Sequence, residues 1–238
     1  MGELELYQLE NGYRYNSDTL FLYDFITDKI RGEILDVGCG CGVLGLLVAR
    51  DNGVRLNGID IEPLNIEISK YNSIVNGILG NFIIGDFAEF RSEIKFDFII
   101  SNPPFYHSNV IKSPNSHIAK SRYSNSLSLE QFLASCNRNL KPKGVLYFCY
   151  DAKQIRDILV LFDKFKLNLT KMKFIYPKIN QNAKIVLIEA KKSSKSMCEI
   201  LPPLVVFDKD EFSTETKEIF KRANTLSKVY KSDKARWV

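Results

Sequence analysis

Glu33-Ile34-Leu35-Asp36-Val37-Gly38-Cys39-Gly40-Cys41-Gly42-Val43-Leu44-Gly45 sets the architecture of this 238-residue chain. The apolar run at 33–37 reads as a buried strand. It ends in a turn with glycine at alternate positions, and an apolar helix follows over 43–50. The unit then recurs. Residues 55–60 read as a second strand and 64–76 as a helix, with Pro63 near its first turn and Gly77 at its end. Strands follow at 81–84 and 96–100. A helix over 129–140 stops at Lys141-Pro142-Lys143-Gly144, and a strand occupies 145–150. A helix over 154–165 and strands at 167–176 and 184–190 complete the series. Strands alternating with helices predict a mostly parallel sheet with helices on both faces.

The flanks are less regular. Leu4, Leu6 and Leu9 alternate loosely with polar residues, and Asn11-Gly12 offers a turn. An apolar pattern through Leu20, Phe21, Leu22, Phe25 and Ile26 predicts a helix, with Ser17 or Asp18 as its N-cap. Near the other end, Lys191 to Ser196 is a polar break. The stretch 200–207 contains Pro202-Pro203 and reads as an edge strand or extended loop. Ser213-Thr214-Glu215-Thr216 opens a last helix. The expected organisation is an N-terminal segment 1–30 packed on a core of 31–192, with a strand, helix and basic tail over 193–238 in the same domain. Residues 106–128 are serine-rich and aperiodic, and a loop of that length is usually functional or mobile.

Composition narrows the class. A hydrophobic fraction of 45% with 26% charged residues is that of a soluble globular domain. No apolar run reaches membrane-spanning length. The acidic start Met1-Gly2-Glu3-Leu4-Glu5 lacks a signal core, and five scattered cysteines without a C-x-x-C pair fit a reducing cytoplasm. The net charge of +5 fits a solvated lysine-rich surface and a nucleic-acid footprint equally. The two histidines, His107 and His117, lack metal-ligand spacing, so no metal site is expected.

Gly40-x-Gly42-x-x-Gly45 matches the dinucleotide fingerprint. Asp36, two residues before Gly38, argues against that ligand. A carboxylate facing a pyrophosphate in a partly dry site is costly, whereas it suits a cation. S-adenosylmethionine carries an ammonium and a sulfonium and no phosphate. Asp60 closes the second strand, where a ribose diol would lie, about 20 residues after the glycines. Asp86 follows the third strand and can accept from an adenine amino group, with Phe87 beside the ring. Each aspartate alone is equally a turn residue or a helix cap. Three at successive strand ends around a glycine turn point to Asp36, Gly38, Gly40, Asp60, Asp86 and Phe87 as a cofactor site.

The fourth strand runs into Ser101-Asn102-Pro103-Pro104-Phe105. Two prolines stop a ladder, so an amide, two rigid residues and an aromatic ring stand at the carboxyl end of a strand. An exocyclic amine on a base is a poor nucleophile because its lone pair is delocalised. The Asn102 side-chain oxygen and the Pro103 carbonyl can accept both amino hydrogens. Pro103 and Pro104 fix that carbonyl, and Phe105 can stack on the base. Methyl transfer then needs mainly placement. The bland alternative is a Pro-Pro loop with a core phenylalanine.

With these residues the chain resembles the class I S-adenosylmethionine-dependent methyltransferases that carry an (Asn/Asp)-Pro-Pro-(Tyr/Phe) motif. More narrowly, it resembles the bacterial tRNA-valine adenine-N6-methyltransferase family. The narrow resemblance rests on Gly12-Tyr-Arg-Tyr-Asn-Ser-Asp-Thr-Leu20, Ser101-Asn-Pro-Pro-Phe-Tyr106, Ile175-Tyr-Pro-Lys-Ile179, Val186-Leu-Ile-Glu-Ala190 and Leu201-Pro-Pro-Leu204. It implies a Rossmann-like seven-stranded α/β sheet with its last strand antiparallel. It also implies N6-methylation of the adenine just 3′ of the anticodon in a valine tRNA. By the same resemblance Asn102, Pro103, Pro104 and Phe105 are catalytic, Asn102 also touches the cofactor, and Asp18 closes over its methionine end. Either Phe105 or Tyr106 is the stacking ring.

An anticodon loop is single-stranded, so extruding its adenine is cheap. The expected RNA contacts are Tyr106, Lys112, Lys120, Arg122 and Tyr123. A basic end adds Lys217, Lys221, Arg222, Lys228, Lys231, Lys234 and Arg236, interleaved with Tyr230 and Trp237. Truncation after Phe220 is expected to weaken tRNA binding and flatten its salt dependence. Three other readings stay open. They are methylation of a ribosomal RNA guanine N2 or a protein glutamine amide, a cofactor-binding RNA scaffold or chaperone, and an NAD-dependent oxidoreductase.

Overall fold

Strand β1 (Leu4–Gln8) buries Leu4, Leu6 and Gln8 and turns Glu5 and Tyr7 outward, the period-two alternation of a half-buried strand. It belongs to a computed structural model that describes residues 2–9, 15–26, 30–103 and 127–230. Helix α1 (Ser17–Phe25) starts one residue earlier than the cap signal predicts. Asn16 is the N-cap, and its side-chain oxygen accepts from the Asp18 N–H at 3.2 Å.

The repeating part follows as β2 (Glu33–Val37), α2 (Val43–Asn52), β3 (Arg55–Asp60), α3 (Pro63–Val75), β4 (Gly80–Ile84) and β5 (Phe96–Ser101). Next come α4 (Leu129–Asn139), β6 (Leu140–Asp151), α5 (Ile155–Phe165), β7 (Leu167–Tyr176) and β8 (Ile185–Lys192). Ser128 and Gln131 cap α4 reciprocally, side chain to backbone N–H in both directions. Strand β6 begins earlier than expected. Lys141 to Gly144 does not interrupt it but forms a bulge, where the pairing with β5 jumps from Phe96–Leu140 to Phe98–Val145.

The main sheet runs β7-β8-β6-β5-β2-β3-β4. Its strands are parallel except β8, which is antiparallel to both β6 and β7. Two further pieces, β9 (Glu199–Ile200) and β10 (Leu204–Val205), add to the β7 edge in parallel. The seven main strands, with the last in sequence antiparallel, are those expected, and the two short pieces extend the sheet to nine. Pro202 and Pro203 lack N–H donors and split the predicted edge strand into these two short contacts. A hairpin of β11 (Phe207–Asp208) and β12 (Glu211–Phe212) leads to α6 (Thr214–Ala223). The final strand β13 (Thr225–Val229) then pairs in parallel with β1, from Leu4–Thr225 to Gln8–Val229.

Both sheet faces are buried, as a parallel sheet requires. Successive residues of β5 serve opposite layers. Ile100 packs with Leu20, Leu22, Leu46 and Leu47 from α1 and α2, and Ile99 with Phe132, Leu133, Ile158 and Phe162 from α4 and α5. Strand order reverses at β2, which lies between β3 and β5. The crevice beyond the carboxyl ends of β2 and β5 is the position where open α/β sheets bind ligands.

Candidate active site

The glycine turn fills that crevice. Gly38, Gly40 and Gly42 have φ of +64°, +53° and +81°. These left-handed values explain the alternate glycines. At Gly38 and Gly40 a Cβ would meet nothing within 4 Å, so their surfaces stay open to a ligand. The turn is held from both sides. The Gly38 and Cys39 N–H groups donate to the Ile59 carbonyl at 2.8 and 3.1 Å. The fully buried Asn72 of α3 donates to the Cys41 carbonyl at 2.9 Å and bonds both backbone groups of Tyr7, at 2.8 and 3.0 Å.

Asp36 is 2% exposed, and one oxygen accepts from the Gly45 N–H at 2.9 Å. Burial pushes its pKa up from 3.8 to about 7, opposed by the Gly45 hydrogen bond and assisted by the nearby Asp60 carboxylate. Asp60 is engaged by the protein itself. Its oxygens accept from the Gly40 N–H at 2.9 Å, the Glu62 N–H at 2.9 Å and the Asn65 amide at 3.2 Å. It therefore orders the turn, with carboxylate lone pairs remaining for a diol.

Asn102 stands immediately after β5. Ser101 is fully buried, and its hydroxyl donates to the Val37 carbonyl at 2.8 Å, which locks the ends of β5 and β2 side by side. The Asn102 amide nitrogen donates to the Thr19 hydroxyl at 2.8 Å, and its oxygen accepts from the Cys149 thiol at 2.7 Å. One cavity is lined by Asp36, Gly38, Gly40 and Asn102 together with Tyr15, Thr19, Cys39, Cys41, Val43 and Leu44. Asp18 lies close by. Burial raises its pKa, and its charge helps hold the Cys149 thiol well above the ordinary range, burial being the larger cause.

The expected residues divide accordingly. Asp36, Gly38, Gly40 and Asn102 meet in one cavity. Asp86 is exposed and caps its own turn, accepting from the Ala88 N–H at 2.8 Å. That turn sends Phe87 inward. It is 5% exposed and packs against Phe90 and Phe132. Pro103 is half-buried. Pro104, Phe105, Tyr106, Lys112, Lys120, Arg122 and Tyr123 lie outside the described residues, as do Lys231, Lys234, Arg236 and Trp237. Three of the basic residues expected to face RNA are paired within the chain, Lys217 with Glu211, Arg222 with Asp24 and Lys228 with Glu5. Truncation after Phe220 would also delete β13 from its pairing with β1, so it cannot isolate RNA binding.

Sequence reasoning missed Tyr15 and Thr19. The Tyr15 hydroxyl bonds those of Thr225 and Ser227 at 2.9 and 3.1 Å, and its N–H donates to Gln8 Oε1 at 3.0 Å. Both ends of the described chain thus support one cavity residue. A wider groove of about 950 Å³ opens at the opposite, amino-terminal edge of β2, β3 and β4, lined by Glu33, Arg55 and Gly80 among others. It lies away from the glycine turn and Asn102.

The donor set discriminates between ligands. Among the described residues lining the cavity there is no lysine or arginine to balance a pyrophosphate. A buried carboxylate with a single backbone donor and the Asp60 carboxylate nearby suits a cationic ligand without phosphate. S-adenosylmethionine meets that requirement. Among the described residues no group of three His, Cys, Asp or Glu is placed to hold a metal, and no helix is long and apolar enough to cross a membrane.

Comparison with known proteins relates the chain to methyltransferases. The profile of the methyltransferase small domain matches residues 14–175. A tRNA1(Val) (adenine(37)-N6)-methyltransferase from Phocaeicola vulgatus is 28% identical over 194 residues, covering 79% of this chain and 82% of that protein. Ribosomal RNA small subunit methyltransferase C from Mannheimia succiniciproducens is 34% identical over 110 residues, 44% of this chain and only 33% of that protein. Among solved structures, a predicted O-methyltransferase from Agrobacterium tumefaciens superposes with a TM-score of 0.67 at 15% identity, covering 89% of this chain and 99% of that one.

Proposed function

The chain belongs to the methyltransferase small domain family and has the class I fold with S-adenosylmethionine as cofactor, and from that premise we propose that it methylates the exocyclic N6 of adenine in tRNA. The favoured target is the adenine 3′ of the anticodon of a valine tRNA, and the cytoplasm is the compartment this implies. The observation that carries the reading is the Asn102 amide, fixed after β5 in the same cavity as Asp36 and the glycine turn. The Phocaeicola relative, aligned over most of both chains, supports the choice of substrate.

S-adenosylmethionine supplies an electrophilic methyl group. The protein supplies placement. Asp36 faces the cationic end with a buried carboxylate, and Gly38 and Gly40 let the backbone approach without a Cβ. Asp60 holds the turn and the ribose, and Asp18 stands near the methionine end. Asn102 Oδ1 and the Pro103 carbonyl accept the two amino hydrogens, which draws the nitrogen lone pair out of conjugation. No strong base is needed for this, because the amine loses its proton only after it has become cationic. Phe105 or Tyr106 stacks on the base, and Lys112, Lys120, Arg122 and Tyr123 contact the RNA.

The test is methyl transfer from labelled S-adenosylmethionine to total tRNA, digested to nucleosides. Label in N6-methyladenosine that disappears in Asn102→Ala supports the assignment, and label in another nucleoside replaces the substrate. Ribosomal RNA guanine is the second reading, favoured by the local match to the Mannheimia enzyme. Label in N2-methylguanosine from ribosomal RNA, with none in tRNA, would select it.

A further inference from the structure

Asparagine is nearly symmetric in shape. Its amide oxygen and nitrogen differ little in size, so packing alone does not choose between two orientations related by a half-turn about χ2. The choice matters at Asn102. With Oδ1 toward the substrate the side chain accepts a hydrogen from the target amine. With Nδ2 there, two donors oppose each other. Whatever fixes the amide therefore sets the fraction of molecules able to react.

We propose that Thr19 and Cys149 are positioning residues that hold the Asn102 amide with one Oδ1 lone pair available to the target amine. The inference rests on the reading of Asn102 given above. Thr19 comes from α1, where it is 5% exposed, and takes an Nδ2 hydrogen at 2.8 Å. Cys149 comes from the neighbouring strand β6. The β5–β6 register pairs Ser101 with Phe148, so the next residues, Asn102 and Cys149, fall side by side. The thiol fills one Oδ1 lone pair at 2.7 Å, and the carbonyl oxygen has a second.

The two partners contribute unequally. A hydroxyl donates or accepts, so Thr19 bonds either orientation of the amide. A thiol is a weak donor and a weak acceptor, so in a flipped amide the S–H would lose its carbonyl partner and Nδ2 would face only a weak acceptor. Cys149 therefore supplies the discrimination, and Thr19 supplies the tether from a second element. Cys149 is fully buried, and its thiol is held well above the ordinary pKa by that burial, so it remains a donor throughout the neutral range.

The experiment measures kcat, together with the Kd of S-adenosylhomocysteine by calorimetry, in Cys149→Ala, Cys149→Ser, Thr19→Val and Thr19→Ser. It repeats Cys149→Ala and Thr19→Val in an Asn102→Ala background. Cys149→Ala and Thr19→Val should each lower kcat about 3- to 10-fold, the size of one hydrogen bond, with Kd for the cofactor product little changed. Cys149→Ser should restore kcat, because a hydroxyl is a stronger donor than a thiol and stands on the same side of the amide. Neither substitution should lower activity further once Asn102 is alanine. Wild-type kcat in both single variants, or serine failing as badly as alanine, overturns the proposal while leaving a catalytic Asn102 intact. Full activity in Asn102→Ala overturns the catalytic reading itself. A nitrogen-15 spectrum of the unmutated enzyme is a check independent of folding defects. One Asn102 Nδ2 proton should be protected from exchange, and an unprotected, freely averaging amide overturns the proposal.

Discussion

Two walls of the same cavity are built in opposite ways. One is local. Asp36, the glycine turn and the start of α2 are contiguous in sequence, and Asn102 follows directly from the adjacent strand. The other wall is Tyr15 and Thr19. It stands because β1, β13 and α3 converge on it from distant parts of the chain. The first wall holds the residues proposed to act on cofactor and substrate and is shaped by backbone geometry. The second wall covers it and is held by side-chain hydrogen bonds between elements. Damage to the first should therefore appear in turnover and charge recognition, and damage to the supports of Tyr15 in stability and cofactor affinity, while Thr19 sides with the first because it bonds the Asn102 amide.

Asn102→Ala is the sharpest break on the local wall. It should reduce kcat about 100- to 1,000-fold, as loss of one preorganised hydrogen-bonding group does, while the Kd of S-adenosylhomocysteine changes by less than about threefold. A parallel collapse in affinity would mean the two walls are not separable. On the other wall, Asn72→Ala removes a buried hydrogen bond to the Cys41 carbonyl and two part-buried ones to the Tyr7 backbone. It should cost about 2–4 kcal/mol, read as a shift in the denaturant midpoint. A loss below about 1 kcal/mol would show that β1 docks without it.

Asp36 gives the comparison a pH axis. Its folded pKa is raised to about 7 from 3.8, so between about pH 4 and 7 the folded chain holds a proton that the unfolded chain has released. Stability from this group therefore falls as pH rises through that window and levels off above it. A bound cation favours the ionised form, so cofactor affinity moves the other way. The Kd of S-adenosylmethionine should tighten about tenfold from pH 5.5 to 7.5, and Asp36→Asn should flatten the curve. The smallest effect belongs to the anchors of Tyr15. Thr225→Ala with Ser227→Ala should weaken cofactor binding about two- to fivefold, and Tyr15→Phe should do the same without adding to it. Additive losses would mean the hydroxyls act on something other than Tyr15.

The local wall was legible because its signals are backbone signals. Alternate glycines announce left-handed φ, and paired prolines announce a strand end. The strand alternation gave the layer architecture, and the resemblance gave its antiparallel strand. What the sequence did not show is where a side chain points after the backbone has turned. Phe87 follows an aspartate that bonds its own turn, and that turn rotates the ring into the core. Lys217, Arg222 and Lys228 look like a free basic run in one dimension but meet Glu211, Asp24 and Glu5 in three. Tyr15 lies in the entry segment that carries the resemblance, but its place in the cavity was not legible, since its partners Thr225 and Ser227 are ordinary residues until β13 lies beside β1.

The pairing of β1 with β13 also fixes a timetable. The two strands are separated by roughly 220 residues, so their ladder is among the longest-range contacts in the fold and its closure comes late. During synthesis the glycine turn and β5 emerge from the ribosome well before β13 exists. A nascent chain thus carries an assembled chemical edge with an unbraced cover. The brace arrives only with translation through Val229, so a product released before that point keeps Asn102 and the glycine turn but lacks the strand whose Thr225 and Ser227 hold Tyr15.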